Sequence, residues 1–229
     1  MAGRRHFNPA FFAFLKDLKS HNTRDWFQAN KDRYRLEIQE PLLGFISDFA
    51  DPLRAISKEF VADPRPSGGS MFRVYRDVRF SKDKSPYKTH AAAQFRHRAG
   101  RDAHAPGFYV HLEPGAVFVG AGLWHPERSG LEEIRQAIVE HPRKWTKVIQ
   151  DPDFTSHHKL SGESLKRPPR GYDPENPLIE DLKRKDFVCV ENFSQTTACR
   201  SDFIDRVAAS FQAASPFVRF LTEAIGQKF

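Results

Sequence analysis

A β-hairpin built around a Pro-Gly turn is the feature that most constrains how this chain can fold. Between residues 107 and 113, apolar side chains occupy alternate positions, which is the pattern of a strand with one buried face. The segment 113–116 (EPGA) then places Pro and Gly at the central positions of a type II turn, and 116–124 predicts the returning strand. A turn that pairs the two ends of this segment places Tyr109 directly opposite Gly120.

This register divides the hairpin into two chemically different faces. Directly opposite residues share a face, so one face is apolar and is expected to pack on helices. Its members are Phe108, Val110, Leu112, Val117, Val119 and Ala121. The second face is polar and aromatic, with a gap at a glycine, and carries Tyr109, His111, Glu113, Phe118 and Gly120. We therefore expect a functional site on the second face.

Helical periodicity surrounds this sheet segment. Apolar residues recur in steps of three and four in the N-terminal part, where Asn8-Pro9 and Thr23 are typical of helix starts. Pro41 is expected to kink or split the second helix. Near the C-terminus, the pattern predicts two helices, at 203–211 and 217–225. Helices on either side of a continuous run of strands indicate an α+β fold.

The predicted fold is a central antiparallel meander sheet flanked by N-terminal and C-terminal helices. Its strands are expected near 71–75, 89–98, 107–113, 116–124 and 187–193. The length favours one domain over residues 1–229. Along the chain this domain divides into an N-terminal helical part (8–60), the sheet (71–124), helices and a long loop (127–183), and a strand with C-terminal helices (187–226). Within the third part, 151–178 reads as a long surface excursion.

Several classes of protein are disfavoured by the same sequence. No apolar run approaches the roughly 18 residues that a membrane helix requires. The N-terminus lacks a signal-peptide pattern, and two cysteines, Cys189 and Cys199, are too few for a disulfide framework or a four-ligand zinc site. We therefore expect a cytoplasmic protein with no membrane partner and no cofactor; the oligomeric state stays open.

The positive charge of the chain is concentrated in one segment. The formal net charge is +7, and residues 71–101 alone hold nine Lys and Arg residues against two acidic residues, while basic and acidic groups elsewhere cancel. Charge concentrated in this way favours a local field directed at an anionic partner. The alternative is a solvated loop that happens to be basic.

This segment contains a set of side chains suited to phosphate. Guanidinium groups hold phosphate or carboxylate through two parallel hydrogen bonds, lysine adds a point charge, and hydroxyl groups fill the remaining positions. Together with two residues of the hairpin, the predicted ligand-binding residues are Arg73, Arg76, Arg79, Ser81, Lys82, Lys84, Tyr87, Lys88, Tyr109 and Trp124.

Acidic residues within the segment leave its role open. Asp77 and Asp83 could each fix an arginine in place, act as a general base, or bind a metal. With His111 and Glu113 they are the candidate catalytic residues. The structural alternative is an internal salt-bridge network that locks an irregular loop onto the sheet.

Other motifs are weaker. Residues 81–84 and 85–88 both match Ser-x-x-Lys, but the companion motifs of serine acyl enzymes are missing. Ser85 before Pro86 also resembles a helix N-cap. His111-x-Glu113 and His125-x-Glu127 each offer two metal ligands, yet no recognised spacing supplies a third, so we predict no metal site.

Four segments resemble blocks of a bacterial and fungal conserved-hypothetical family, a domain of unknown function. They are 23–27 (TRDWF) with Asn30-Lys31, 75–88 (YRDVRFSKDKSPYK), 107–114 (GFYVHLEP) and 120–124 (GAGLW). The second run is the most specific, and the resemblance covers most of the chain. It implies a soluble intracellular domain and carries over no activity, substrate or catalytic residue.

Three functions remain. The first is binding of a phosphate-rich ligand, nucleic acid foremost, through 71–101, where Tyr75, Phe80 and Tyr87 could stack on bases. The second is an enzyme acting on a phosphorylated small molecule or a phosphodiester, which needs a concave pocket where cations meet a carboxylate or histidine. The third is a structural or protein-interaction domain, favoured if the arginines are satisfied internally.

Overall fold

The sheet at the centre of the fold has six antiparallel strands, and the predicted α+β class is confirmed. A computed structural model describes residues 4–99 and 105–229. The spatial order of the strands is β1-β2-β3-β4-β6-β5. Their bounds are Phe60–Val61 (β1), Ala91–His97 (β2), Gly107–Glu113 (β3), Ala116–Leu123 (β4), Lys159–Ser161 (β5) and Phe187–Phe193 (β6).

Helices precede the sheet in the chain, separate its last three strands and follow it. The N-terminal group is α1 (Pro9–Ser20), α2 (Arg24–Ala29), α3 (Lys31–Tyr34), α4 (Glu40–Asp48) and α5 (Ala50–Ile56). The later group is α6 (Arg128–Glu140), α7 (Pro142–Ile149), α8 (Pro152–His157), α9 (Ile179–Leu182), α10 (Gln195–Ala198) and α11 (Phe203–Ala224). As the sequence predicts, Asn8 caps α1 by accepting from the backbone N–H of Phe11 at 3.1 Å, and Thr23 caps α2.

The register of the central hairpin is the one that the turn predicts. Glu113 pairs with Ala116, and Tyr109 pairs with Gly120. The apolar face of β3 and β4 is fully buried, and α11 packs across it, with the rings of Phe108 and Phe211 4.7 Å apart. The opposite face is therefore left to the polar and aromatic side chains.

One predicted strand is wrong in extent. Segment 71–75 pairs with β2 only at the isolated bridge Met71–Ala93. Beyond this point the chain folds back on itself, since the N–H of Arg76 bonds to the carbonyl of Pro86 and the N–H of Lys88 bonds to that of Val74. The N–H of Phe72 still bonds to the carbonyl of Ala92 in β2, so pairing with the sheet ends there and the chain beyond it bonds within the loop.

The two short edge strands were not predicted. They are β1, which pairs with the end of β2, and β5, which pairs with β6 inside the region 151–178 that the sequence describes as a surface excursion. That region also contains α8. Strands of two or three residues are too short to show an alternating pattern, so periodicity does not reveal them.

Prolines change the helices in two different ways. Before Pro41 the α-helical ladder gives way to a π-helical turn at Arg35–Gln39, which agrees with the predicted disturbance. The prediction of two separate helices at 203–211 and 217–225 is wrong, because α11 continues through Pro216 as a single helix. Most residues around Pro216 are buried, and their tertiary packing offsets the lost hydrogen bond.

The predicted N-cap at Ser85 is wrong, because residues 85–88 are not helical and the Ser85 hydroxyl donates to Asp83 instead.

Stability should depend on His158, which is buried at the end of α8. Its Nε2 lies 3.1 Å from the Ser210 hydroxyl, and burial, with a smaller contribution from His157, lowers its pKa to about 4. Because the unfolded state binds the proton more tightly, stability is complete above about pH 6.5 and falls as the pH drops towards 4.

We expect the His158 contribution to decrease by up to about 2 kcal/mol between pH 7 and pH 5, at about 1.4 kcal/mol per pH unit below the unfolded pKa. Urea denaturation at both pH values should show a smaller decrease for His158→Gln than for the wild type. His141→Gln, which changes an exposed histidine at the start of α7, serves as the control and should keep the wild-type dependence. Equal decreases in all three proteins would contradict this role.

Candidate functional site

A cavity of about 570 Å³ lies on the polar face of the sheet and is called here the sheet cavity. The cavity is deep at Gly120 because this residue has no side chain to fill the space. An added Cβ there would meet only ordinary contacts, at 3.5 Å from the carbonyl oxygen of Cys189. Strands β3, β4 and β6 form the floor, while Phe72, Lys88 and Trp124 lie around it. Described residues that line it with their side chains or backbone include Phe72, Lys88, His90, Gln94, Tyr109, His111, Phe118, Gly120, Trp124, Val188 and Val190.

Three residues, His90, His111 and Glu113, form the polar end of this site. One ligand-type atom of each lies within 4.8 Å of the others. The His111 ring lies between the rings of His90 and Phe118, with 4.5 Å between centroids on both sides. His90 reaches this position because β2 and β3 pair Ala91 with Leu112, which places His90 beside Glu113.

Hydrogen bonds fix the orientation of the polar end. The Tyr109 hydroxyl lies 2.9 Å from Nδ1 of His111, and Nε2 of the same ring lies 3.4 Å from Oε2 of Glu113. The Thr89 hydroxyl donates to Oε1 of Glu113 at 3.2 Å, and the Lys19 ammonium lies 3.9 Å from that oxygen. The imidazole is therefore held by Tyr109 of the cavity wall, and the carboxylate is held by Thr89 and Lys19 from outside the lining.

Burial keeps the two histidines uncharged at neutral pH. Burial and the neighbouring His111 lower the pKa of His90 to about 4. Burial likewise lowers the pKa of His111, partly opposed by its bond to Glu113. Burial, with a smaller effect of Glu113, raises the pKa of Tyr109 to about 12, so its hydroxyl stays protonated. The polar end thus presents neutral imidazole lone pairs next to one carboxylate.

Lys88 brings a positive charge into the same cavity. Its ammonium lies 5.0 Å from the centre of the Phe72 ring. Burial and the nearby Arg73 lower its pKa. Within 4–99 and 105–229, no carboxylate forms an ion pair with Lys88, so the structure leaves this half-buried cation available to an anion.

An exposed tryptophan at the rim of the cavity stacks on a histidine that is itself held by a buried carboxylate. Trp124 is 61% exposed and stacks on His125, with ring centroids 4.0 Å apart. The backbone N–H and the ring of His125 both bond to the buried carboxylate of Asp186, at 2.8 and 2.9 Å. Burial alone would raise the pKa of Asp186, but bonds from the backbone N–H groups of Glu163 and His125 hold it below its ordinary value.

Most of the predicted phosphate-binding residues lie instead on the basic loop, residues 73–87. Arg79 forms two-pronged hydrogen bonds to Asp77, with 2.7 Å between Nη2 and Oδ2, and Arg76 pairs with Asp83. The Arg79 guanidinium lowers the pKa of Asp77 to about 2, and Ser85 and Arg76 lower that of Asp83. The candidate catalytic residues Asp77 and Asp83 therefore serve as ion-pair partners.

The other predicted ligand-binding residues of the basic loop differ in burial and in contacts. The Lys84 ammonium donates to the carbonyl of Val78 at 3.0 Å, and Tyr87 is buried with its ring stacked 4.1 Å from that of Phe27. Ser81 lies in the loop. Arg73 and Lys82 are exposed and form no ion pair with any described residue. Arg101, at the end of the predicted basic segment, lies outside the described residues.

The cavity therefore gathers part of the predicted site and adds residues that the sequence did not single out. Lys88, Tyr109, His111 and Trp124 line it, and Glu113 borders it. The sequence did not indicate His90 or Phe72 as site residues, whereas it placed Phe118 on the face expected to carry the site. His90 could have been found by extending the alternation of β2, since its even-numbered positions share the polar face.

Comparison with known proteins gives one match. The family model of DUF2461, described as a conserved hypothetical protein, matches residues 10–220, in agreement with the resemblance stated above. No curated protein and no solved structure matches the chain. No helix in the described part of the chain combines the length and apolarity needed to span a bilayer.

Two glycines of β4 should respond differently to substitution. At Gly122, φ is +118° and a Cβ would overlap the carbonyl of Phe187, so we expect Gly122→Ala to lower the free energy of unfolding by more than about 2 kcal/mol. Gly120→Ala should change it by less than about 1 kcal/mol, because an added Cβ would meet only ordinary van der Waals contacts. Chemical denaturation of both variants measures the difference, and similar losses would show that Gly120 cannot accept a Cβ without strain.

Proposed function

The chain belongs to the DUF2461 family of conserved hypothetical proteins, and we propose that it is an enzyme acting on a small organic molecule that carries a phosphate or another anionic group, bound in the sheet cavity. Its size is adequate, since ligand pockets commonly measure about 300–1,000 Å³. The observation that carries the proposal is Lys88, a half-buried cation without a carboxylate partner among the described residues, in the same cavity as neutral histidines.

Different parts of the cavity offer a ligand different kinds of contact. The rings of Phe72, Phe118 and Trp124 supply apolar surface for the body of a ligand. Lys88 supplies charge for its anionic group, which binds more strongly where water is partly excluded. At the polar end, the uncharged imidazoles of His90 and His111 carry lone pairs that accept a proton or coordinate a cation. A concave site of this kind, with few convergent polar groups, is typical of enzymes rather than of flat interaction surfaces.

The arrangement of the arginines supports a cavity rather than the basic loop as the main ligand site. Arg76 and Arg79 are each matched by a carboxylate two to seven residues away. An anion would compete with these carboxylates for either guanidinium, whereas at Lys88 it meets no competing ion-pair partner among the described residues.

A matched pair of lysine variants tests this proposal. A thermal-shift screen with phosphorylated and carboxylated small molecules should yield a ligand that raises the melting temperature, because it binds only the native state. Lys88→Met should weaken its binding by about 10- to 100-fold, the loss expected for a hydrogen bond to a charged group. Lys144→Met is the control, since this lysine also lies over a phenylalanine ring, 5.8 Å from Phe220, but on α7.

Filling the cavity provides a second test. Gly120→Val places a β-branched side chain on the polar face of β4 and should abolish ligand binding while the protein remains folded. Unchanged affinity in both Lys88→Met and Gly120→Val would reject the sheet cavity as the site. A screen in which no anionic molecule stabilises the wild type would reject the proposal as a whole.

A second candidate function is binding of single-stranded nucleic acid by the basic loop. Phe80 favours it, since this ring is 96% exposed and lies 5.8 Å from the Arg79 guanidinium. Such a ring can stack on an unpaired base. Arg73 and Lys82, which are without ion-pair partners in the described part of the chain, could contact phosphates.

The salt dependence of oligonucleotide binding tests this candidate. Affinity for a single-stranded oligonucleotide should fall steeply with salt, with the logarithmic slope reduced by roughly 0.7 in Lys82→Ala, as expected for one lost phosphate contact. Phe80→Ala should weaken binding by about 1–3 kcal/mol without changing that slope. A flat salt response in the wild type would reject the candidate, and neither variant should alter ligand binding in the sheet cavity.

A further inference from the structure

The polar end of the sheet cavity has the composition of a metal site. At this position the sequence offered the pair His111 and Glu113, for which no recognised spacing supplied a third ligand. The structure supplies that third ligand in His90, which the pairing of β2 with β3 brings beside them. We propose that His90, His111 and Glu113 bind one divalent transition-metal ion, an inference that rests on the proposed function because the ion would form the reactive end of the ligand cavity.

The spacing of the three side chains fits one ion. Bonds of about 2.0–2.2 Å at tetrahedral angles place neighbouring ligand atoms roughly 3.4 Å apart. Nε2 of His111 and Oε2 of Glu113 already lie 3.4 Å apart. All three ligand atoms lie within 4.8 Å of one another, so an ion needs to draw His90 inward by at most about 1.4 Å, a change within the reach of side-chain rotation.

The surrounding hydrogen bonds are those that metal ligands require. A ligating imidazole normally donates its second N–H to an oxygen, which fixes the ring and its tautomer. The Tyr109 hydroxyl lies 2.9 Å from Nδ1 of His111 and can accept this bond, which leaves Nε2 to face Glu113 and the ion. Thr89 donates to the outer oxygen of Glu113, so the inner oxygen is available for coordination.

Three protein ligands leave a coordination position directed at the cavity. Structural zinc sites are closed by four protein ligands, whereas catalytic sites keep one position for water or substrate. His90 and His111 both line the sheet cavity, so an anionic group bound near Lys88 could reach that position. The charge of the ion exceeds that of the single carboxylate, so the site would attract anions.

The donor set also selects the class of ion. Two imidazole nitrogens and one carboxylate suit zinc and iron(II), whereas magnesium and calcium prefer sites made of oxygen. Zinc is the better probe for affinity, because it binds such sites more tightly than iron(II).

Isothermal titration of the chelator-treated, full-length protein with Zn²⁺ tests the inference directly. We expect one ion per chain, with magnesium binding at least about 100-fold more weakly. Glu113→Gln and His90→Ala should each weaken zinc binding by more than roughly 100-fold. That factor is the upper range for changes to residues that contact a ligand but not the metal itself. Tyr109→Phe should weaken it by about 10- to 100-fold, as expected for a residue that positions His111. His157→Ala is the matched control, since His157 also forms a histidine–carboxylate pair, with Glu191 of β6. This pair lies towards the edge of β6 that β5 pairs with, whereas β4 pairs with the other edge.

The outcomes separate the ion from the organic ligand. Zinc uptake is measured without organic ligand, and ligand binding is measured on metal-free protein, so either proposal can fail while the other stands. Loss of zinc binding in Glu113→Gln and His90→Ala, with binding kept in His157→Ala and all variants folded by circular dichroism, supports the site. Absence of zinc binding by the wild type, or equal binding by His90→Ala, overturns it.

Discussion

The alternation of side chains across β3 and β4 is the constraint on which the rest of the structure depends. The turn at Glu113–Ala116 sets the register, and a shift of one residue would exchange the two faces. Phe108, Val110 and Leu112 would then face the cavity, while Tyr109 and His111 would enter the core. Such a state would bury polar groups without partners and expose the surface that α11 covers. One turn therefore determines both the core and the candidate site.

Burial gives the polar face its chemical character. In water, histidine is partly charged near neutral pH, but desolvation beneath the neighbouring rings keeps His90 and His111 neutral. The same effect makes the cation Lys88 more effective, because charges interact more strongly where water is partly excluded. A small number of polar groups in an apolar cavity can therefore recognise a ligand that a larger number of exposed charges would bind only weakly.

The basic loop illustrates that difference. Its charge, counted from the sequence, suggests a strong local field, yet Asp77 and Asp83 each occupy an arginine. Such pairs are exposed, so they contribute little to stability, and they reduce the field that reaches a partner. Phe80 at 96% exposure is the feature of the loop that internal pairing does not explain.

The sequence by itself determined the α+β class, four strands to within about two residues, the hairpin register, and the presence of tyrosine, histidine and glutamate on one face, because alternation and turn chemistry are local properties. It did not determine β1 and β5, which are too short to carry a period. Only the tertiary structure decided which arginines are paired, that Lys88 enters a cavity, and that His90 joins His111 and Glu113. These outcomes depend on distances between residues far apart in the chain and on the exclusion of water, and neither is encoded in spacing along a sequence.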